Sequence, residues 1–152
     1  MKAIKFAAAM ALVLGFCAPA LSAGQATKDE AVAMVKKAVA YVKQVGPEKA
    51  YAAFDTKGGQ FTDRDLYVVV YSVDGHILAH GGNKKLIGKD MKDTQDIDGK
   101  YFIRERLALA AKHADFWQDY KFVNPVSKKI EPKQMYCHPM EQTIVCAGVY
   151  KH

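Results

Sequence analysis

The first half of the chain shows the apolar spacing of two consecutive helices. Apolar residues recur every three or four positions from Thr27 to the VGPEK segment, which matches one face of an α-helix. Thr27 and Glu30 have the spacing of a capping box at a helix start. Gly46 suits the end of this helix, and Pro47 opens a shorter one, PEKAYAAF. The predicted apolar stripe of the first helix is Val32, Val35, Val39 and Val42.

The pattern changes to that of β-strands from Leu66 onward, with one helix interrupting it. The run that begins at Leu66 is rich in β-branched residues and predicts a strand buried on both sides. Asp74 and Gly75 predict the turn of a hairpin. The predicted strands are LYVVVYSV, HILAH, FWQDYKFV, IEPKQMYCH and TIVCAGVY, and DGKYFIRERLALAAKH is the interposed helix. This order predicts an α+β fold with an antiparallel sheet of about five strands, an N-terminal helix pair and one helix inserted after the first hairpin.

The segment between the first hairpin and the third helix has no regular period, but it contains the apolar pair Leu86 and Ile87. We expect both side chains to anchor this connection on the core. In the helix that follows, Phe102, Leu107 and Ala110 are the inward candidates. Arg104 and Arg106 are expected on a solvated face, with a buried role for one of them as the alternative.

Residues 1–23 have the order of a secretory signal. Lys2 and Lys5 precede an apolar run, and small residues follow it. We expect cleavage after Ala23 or Ala20, which leaves residues 24–152 as one domain. A membrane anchor is disfavoured because the apolar run is shorter than the ~20 residues that span a bilayer. Lipid modification at Cys17 is the other alternative, disfavoured by the bulky residue before it.

Charge and cysteine content narrow the class of protein. The net charge of +6 becomes +4 when the two lysines of the signal are removed, and acidic residues are scattered among the basic ones. This favours a mixed solvated surface over nucleic-acid binding. The remaining cysteines, Cys137 and Cys146, lie symmetrically about the last predicted turn, so they face one another across a hairpin. We expect a disulfide, with two buried thiols as the alternative.

An ordered set of short motifs resembles the single Cache domains of the second type, which are bacterial extracytoplasmic sensor domains with a PAS-like fold. The resemblance extends from Thr27 to Tyr150. Its motifs are LAH with a following Asn, LIGK, DxDGKxF, YxFxNP, PKxxY and a final GVY. It implies that the connection after the first hairpin, together with the next helix, covers one face of the sheet and helps to enclose a small-molecule pocket.

Candidate pocket residues follow from strand alternation. Gln118, Tyr120, Phe122 and Asn124 share one face of their strand, and combine aromatic surface with hydrogen-bonding groups. Without the resemblance, an ordinary core face is the better interpretation. Further candidates are Lys133 and Tyr136 on the next strand, His80, and Tyr71. Because Lys133 and Tyr136 are three residues apart, at most one of them faces the pocket unless a bulge intervenes.

The sequence shows no catalytic motif, cofactor motif or metal-ligand set. His76 and His80 would lie ~13 Å apart along a strand, too far to share a metal. Asp74, Asp96 and Asp98 favour turns over calcium binding.

The chain is therefore predicted to be a non-enzymatic, stand-alone periplasmic domain. It would bind a small organic anion, such as a short carboxylate, and act with a membrane chemoreceptor, sensor kinase or transporter. The alternative is a ligand-free docking module, favoured if Phe102, Trp117 and Phe122 fill the pocket.

Overall fold

The computed structural model describes residues 24–151, and the predicted signal at residues 1–23 lies outside them. The helices are α1 (Lys28–Val45), α2 (Pro47–Phe54) and α3 (Phe102–Ala110), with a 3₁₀ turn at Lys84–Leu86. The strands are β1 (Thr62–Asp63), β2 (Leu66–Ser72), β3 (Ile77–His80), β4 (Phe116–Val123), β5 (Ile130–Met140) and β6 (Thr143–Tyr150). None of the helices in this range is long and apolar enough to cross a membrane.

The strands form one antiparallel sheet in the order β1-β2-β6-β5-β4, with β3 also paired to β2. The sheet has six strands where about five were predicted, because the short β1 pairs with the start of β2. The five predicted strands, the helix pair and the inserted helix are all present, so the predicted α+β fold is confirmed.

The start of α1 has the predicted capping box. The Thr27 side chain accepts a hydrogen bond from the Glu30 amide, and the Glu30 side chain accepts one from the Thr27 amide. The residues that α1 buries are Ala31, Val35, Ala38 and Val39, whereas Val32 and Val42 are only partly buried. The contact stripe is therefore rotated from the predicted one toward two alanines, whose small side chains let the helix approach the sheet closely.

The two faces of the sheet have different coverings. On the α1 face, β2 contributes Leu66, Val68 and Val70 to an apolar cluster with α1 and α2. On the α3 face, the alternate residues Tyr67, Val69 and Tyr71 join a cluster with α3. Strand β2 is buried on both sides, as its composition predicted.

The connection from β3 to α3 is a packed loop, but only one of the two residues predicted to anchor it on the core is packed there. Leu86 packs against the α3-face cluster, whereas Ile87 remains 36% exposed. Met91 provides the second apolar contact instead, since it lies four residues farther along and packs on the same cluster. Backbone hydrogen bonds fix the loop beside β3, including Gly88 N to Ile77 O at 2.8 Å.

The acidic residues before α3 form turns, as predicted. Asp96 Oδ1 accepts hydrogen bonds from the amides of Asp98 and Lys100, and Asp96 Oδ2 accepts one from the Lys121 amide at the edge of β4. These hydrogen bonds lower the pKa of Asp96 against the opposing effect of burial. The turn thus attaches the start of α3 to the sheet.

Cys137 and Cys146 are directly opposed residues of β5 and β6 and form a disulfide. The predicted bridge is therefore confirmed. Both residues belong to the α3-face cluster.

Candidate ligand site on the α3 face

Two cationic side chains are completely buried on the α3 face. Arg106 of α3 is 0% exposed and Lys133 of β5 is 1% exposed. Neither forms a salt bridge with any residue from 24 to 151. Ionised side chains of this kind are almost never fully buried without a partner.

Arg106 has one satisfied nitrogen and two unsatisfied ones. Its Nε donates to Gln118 Oε1 at 2.9 Å, and the Gln118 amide in turn donates to Phe102 O at 2.8 Å and Glu105 Oε2 at 3.0 Å. Nη1 and Nη2 are buried and make no hydrogen bond of acceptable geometry with the described residues. The guanidinium lies over the rings of Tyr71 and Tyr120, at 4.7 and 4.9 Å from their centroids. Gln118 therefore orients the guanidinium, and the interaction of Arg106 with Tyr71 and Tyr120 opposes the rise that burial causes in both tyrosine pKa values.

Lys133 is held by phenols. Its Nζ donates to the hydroxyls of Tyr67 at 2.8 Å and Tyr150 at 3.2 Å, and it lies 4.0 Å from the centroid of the Tyr67 ring. Burial, and then the nearby charge of Arg106, hold the pKa of Lys133 well below its usual range. The charge of the buried Asp65 opposes this shift only in part, and an added negative charge beside Lys133 would favour its ammonium form.

The tyrosines at the site remain protonated. Burial raises the pKa of Tyr67 and of Tyr120 well above the ordinary value, and it also raises the pKa of Tyr71. Their hydroxyls therefore act as neutral donors at physiological pH.

His80 supports the loop beside the site. Its Nδ1 accepts hydrogen bonds from the amides of Gly82 at 3.2 Å and Asn83 at 2.9 Å. Burial, followed by the charge of Lys133, lowers the pKa of His80 to about 3, so the ring is neutral with its proton on Nε2. The ring stacks on Tyr67, with 5.1 Å between centroids. A β-carbon at Gly82 would lie 2.8 Å from the Tyr67 ring, so this position requires glycine.

Aromatic rings close the site between α3 and β4. Phe102 stacks on Tyr120 with 4.7 Å between centroids, and Phe122 lies 6.0 Å from Phe102. Trp117 packs on the opposite face beside Tyr136, so it does not fill this site. The side chains that converge here contact one another, and a ligand would have to separate them.

The structure brings most predicted site residues together. Gln118, Tyr120 and Phe122 lie on the α3 face, as do Lys133, Tyr71 and His80. Tyr136 faces α1, so only Lys133 of that pair lies at the site, as the separation of three residues predicted. Contact of any of these residues with a ligand stays a prediction.

Asn124 is buried but serves the turn between β4 and β5. Its Oδ1 accepts a hydrogen bond from the Val126 amide at 2.8 Å, and its Nδ2 donates to Glu131 at 2.8 Å. The side chain thus forms an Asx turn at the end of β4, which accounts for its burial without a ligand.

The expectation that Arg106 is solvated is wrong. Phe102, Arg106 and Ala110 recur at intervals of four, so Arg106 lies on the inward stripe of α3, and Arg104 lies outside it in an ion pair with Asp93. The periodicity contained this signal, but a charged residue on an apolar stripe was interpreted as surface. Tyr67 and Tyr150 were also missed, because they were hidden within continuous apolar strand sequences.

No group of three or more histidine, cysteine, aspartate or glutamate residues within residues 24–151 is placed to hold a metal ion.

Solved structures with a similar fold include three from chemotaxis or chemosensory proteins. A methyl-accepting chemotaxis protein from Vibrio parahaemolyticus RIMD 2210633 aligns with a TM-score of 0.70 and 19% identity, over 81% of this chain and 87% of that one. A Cache chemosensory domain described for carboxylic acid recognition aligns with a TM-score of 0.71 and 18% identity, over 82% of this chain and 92% of that one. The periplasmic sensor domain of a chemotaxis protein has a TM-score of 0.65 and 20% identity, over 82% and 90%.

Among curated protein sequences, no relative matches the chain. The family model described as single Cache domain 2 matches residues 14–151, which is most of the chain. The α+β architecture, the similar sensor structures and this match agree, and the chain belongs to the single Cache domain 2 family of extracytoplasmic sensor domains.

Proposed function

We propose that this domain binds a small carboxylate between α3 and the sheet, and that a membrane partner responds to the bound state. The observation that carries the proposal is the pair of fully buried basic side chains, Arg106 and Lys133, which form no salt bridge with the described residues. A carboxylate would supply the missing negative charge.

The geometry of Arg106 suits a carboxylate. Its two terminal nitrogens are a parallel pair of donors, and this pair matches the two oxygens of a carboxylate in a bidentate contact. Gln118 restricts the rotation of the guanidinium through its contact with Nε. Lys133 and the hydroxyls of Tyr67 and Tyr120 would add neutral or cationic donors around the ligand.

The aromatic rings limit the ligand to a short one. Phe102, Tyr120 and Phe122 would contact its carbon chain once they separate. The similar Cache chemosensory domain whose description names carboxylic acids supports the same ligand class.

Separating these rings supplies a route to signalling. Phe102 and Arg106 are both on α3, so a ligand that pulls on the guanidinium and displaces the ring changes the position of this helix. The ligand then stabilises the conformer of α3 to which it binds more tightly. The proposed partner is a chemoreceptor, sensor kinase or transporter that contacts α3 or the adjacent loop.

Calorimetric titration with acetate, propionate, lactate and succinate tests this function, with acetamide and propionamide as uncharged controls. We expect a carboxylate to bind and its amide not to bind. Arg106→Met should weaken binding by at least ~30-fold, the lower end of the cost of truncating a buried charge pair. Arg104→Met is the matched control and should bind as the wild type does, because Arg104 is exposed.

Lys133→Met and Tyr120→Phe test how far the ligand extends within the site. Loss of binding in both would support a ligand that reaches from Arg106 to Lys133. A panel with no binding carboxylate, or unchanged affinity in Arg106→Met, would contradict the proposal.

The contact among Phe102, Tyr120 and Phe122 favours a second candidate, a ligand-free module that docks on a membrane protein. This candidate predicts a flat titration panel together with capture of a sensor kinase or transporter by cross-linking through α3.

That the protein acts as a stand-alone periplasmic domain stays a prediction. N-terminal sequencing of the protein from a periplasmic fraction tests it, and Gly24 or Leu21 is the expected first residue.

A further inference from the structure

The turn between β4 and β5 exposes three aliphatic side chains. Val123 and Ile130 are directly paired where the two strands meet the turn, and they are 46% and 51% exposed. Val126, within the turn, is 64% exposed. We call these three residues, together with Lys128 and Lys129 of the same turn, the hairpin tip. Exposed apolar side chains that lie together are more typical of a contact surface than single scattered ones.

Lysines surround the hairpin tip. Lys128 and Lys129 are exposed within it, and a groove of about 570 Å³ separates Val126 and Lys128 from three more exposed lysines. Those three are Lys57, Lys84 and Lys85. None of the five forms a salt bridge with another residue of the described chain.

The acidic residues beside this groove already have ion-pair or hydrogen-bond partners within the described chain. Asp63 pairs with Arg64, which also bonds Glu30, and Asp55 accepts a hydrogen bond from the His80 amide. Glu131, at the base of the tip, accepts hydrogen bonds from Asn124 and Ser127. Asp55 and Glu131 keep their negative charge, but the five lysines outnumber them, so this end of the molecule carries a net positive charge.

The chemistry of this surface fits lipid better than protein. Protein interfaces are enriched in aromatic residues and arginine and depleted in lysine, whereas this surface presents aliphatic side chains and lysines. The lysine ammonium is a hydrated point charge, so it can pair with a phosphate from many directions. It does not require a partner in one fixed geometry, such as a carboxylate held by a protein. Aliphatic groups beside a cluster of lysines are the pattern of surfaces that bind anionic bilayers.

We propose that the hairpin tip and the three groove lysines bind the surface of an anionic lipid bilayer. Val123, Val126 and Ile130 enter the headgroup region, and the five lysines contact the phosphates. This association would concentrate the domain at the membrane where its partner resides. The proposal does not depend on the carboxylate ligand.

Co-sedimentation with vesicles tests this proposal. The mature protein, residues 24–152, is mixed with vesicles of phosphatidylcholine containing phosphatidylglycerol, and in parallel with vesicles of phosphatidylcholine alone. We expect binding to the anionic vesicles that is weakened by salt. Lys128→Gln with Lys129→Gln should lower the partition coefficient roughly 30-fold, because each lysine near an anionic surface contributes about fivefold. Val126→Ser with Ile130→Ser should also lower it.

Matched controls lie at the opposite end of the sheet. Val73 follows the end of β2 and is 49% exposed, and Lys89 and Lys112 are exposed residues away from the groove. Val73→Ser and the pair Lys89→Gln with Lys112→Gln should bind vesicles as the wild type does. All of these positions are exposed, and circular dichroism checks that each variant is folded.

Three outcomes would overturn the proposal. They are no wild-type binding to anionic vesicles, equal losses in tip and control variants, and binding of an acidic peptide at the tip without any vesicle binding. The last would assign the surface to a protein partner.

Discussion

The two faces of the sheet are built from the same strands but bury different kinds of side chain. Toward α1, β2 presents Leu66, Val68 and Val70, which pack in an apolar cluster. Toward α3, the alternate residues of the same strand include Tyr67 and Tyr71, which lie beside buried Lys133 and Arg106. The first face is a conventional core that gains free energy from burial. The second face buries two basic side chains that form no salt bridge with residues 24–151, and this arrangement is costly for folding.

This difference is the basis of the ligand site proposed on the α3 face. A hydrophobic core is stabilised by apolar packing, so an uncompensated buried cation opposes folding. Its presence indicates that the position serves a purpose other than stability. The two faces therefore predict opposite responses to substitution: truncation on the α1 face should reduce stability, whereas removing a cation on the α3 face should reduce binding.

The largest expected effect is on the α1 face. Phe54 of α2 is fully buried and packs edge to face on Phe61. Phe54→Ala should lower the free energy of unfolding by about 3–5 kcal/mol, as for other buried aromatic truncations. Urea unfolding measures it, with Tyr51→Ala, at a partly buried position of the same helix, as the milder comparison. A loss below about 1 kcal/mol would mean that the α1 face is not the stabilising core.

A smaller loss is expected from the bridge within the α3 face. Replacing Cys137 and Cys146 together by alanine should lower the free energy of unfolding by about 2–3 kcal/mol, because the bridge closes a short loop in the unfolded chain. Unfolding curves with and without reductant measure it. Reductant should destabilise the wild type and leave the double variant unchanged. If reductant shifts both equally, the loss does not come from the disulfide.

His80 gives the α3 face a dependence on pH. Its pKa is lowered to about 3 in the folded protein, so the unfolded chain binds more protons than the folded one between about pH 3 and the ordinary histidine pKa near 6.5. Stability therefore falls as the pH falls through this window. The loss from pH 7 to pH 4.5 should be about 2–3 kcal/mol.

His80→Asn isolates this contribution, since the asparagine oxygen can accept in place of Nδ1 and does not titrate. Unfolding at several pH values should show a flatter profile in this variant than in the wild type. His113→Asn, at an exposed position, should keep the wild-type profile. Parallel profiles for wild type and His80→Asn would contradict the account.

Local patterns predicted the fold almost completely. The capping box at Thr27 and Glu30, the Asp74–Gly75 turn and the opposed cysteines each depend on residues close in sequence or symmetric about a turn. The two-residue β1 escaped prediction because it exists only through its pairing with β2, and no pattern of its own marks it.

The site was predicted only in part. Strand alternation correctly grouped Gln118, Tyr120 and Phe122, and it separated Lys133 from Tyr136. Burial of Arg106 depends on how α3 rests against β4, which is a tertiary property. The exposure of Ile87 has the same origin, because Met91 takes the contact that an apolar pair was expected to make.

The central claim is that the α3 face carries Arg106 for a ligand and not for folding. The direct test is the free energy of unfolding of ligand-free Arg106→Met, measured by urea beside the wild type and Arg104→Met. We predict a loss of less than about 2 kcal/mol, because removing an unsatisfied buried charge offsets the loss of the hydrogen bond to Gln118. A loss of about 3 kcal/mol or more, comparable to that of Phe54→Ala, would show that the guanidinium is compensated without a ligand, and would contradict the account.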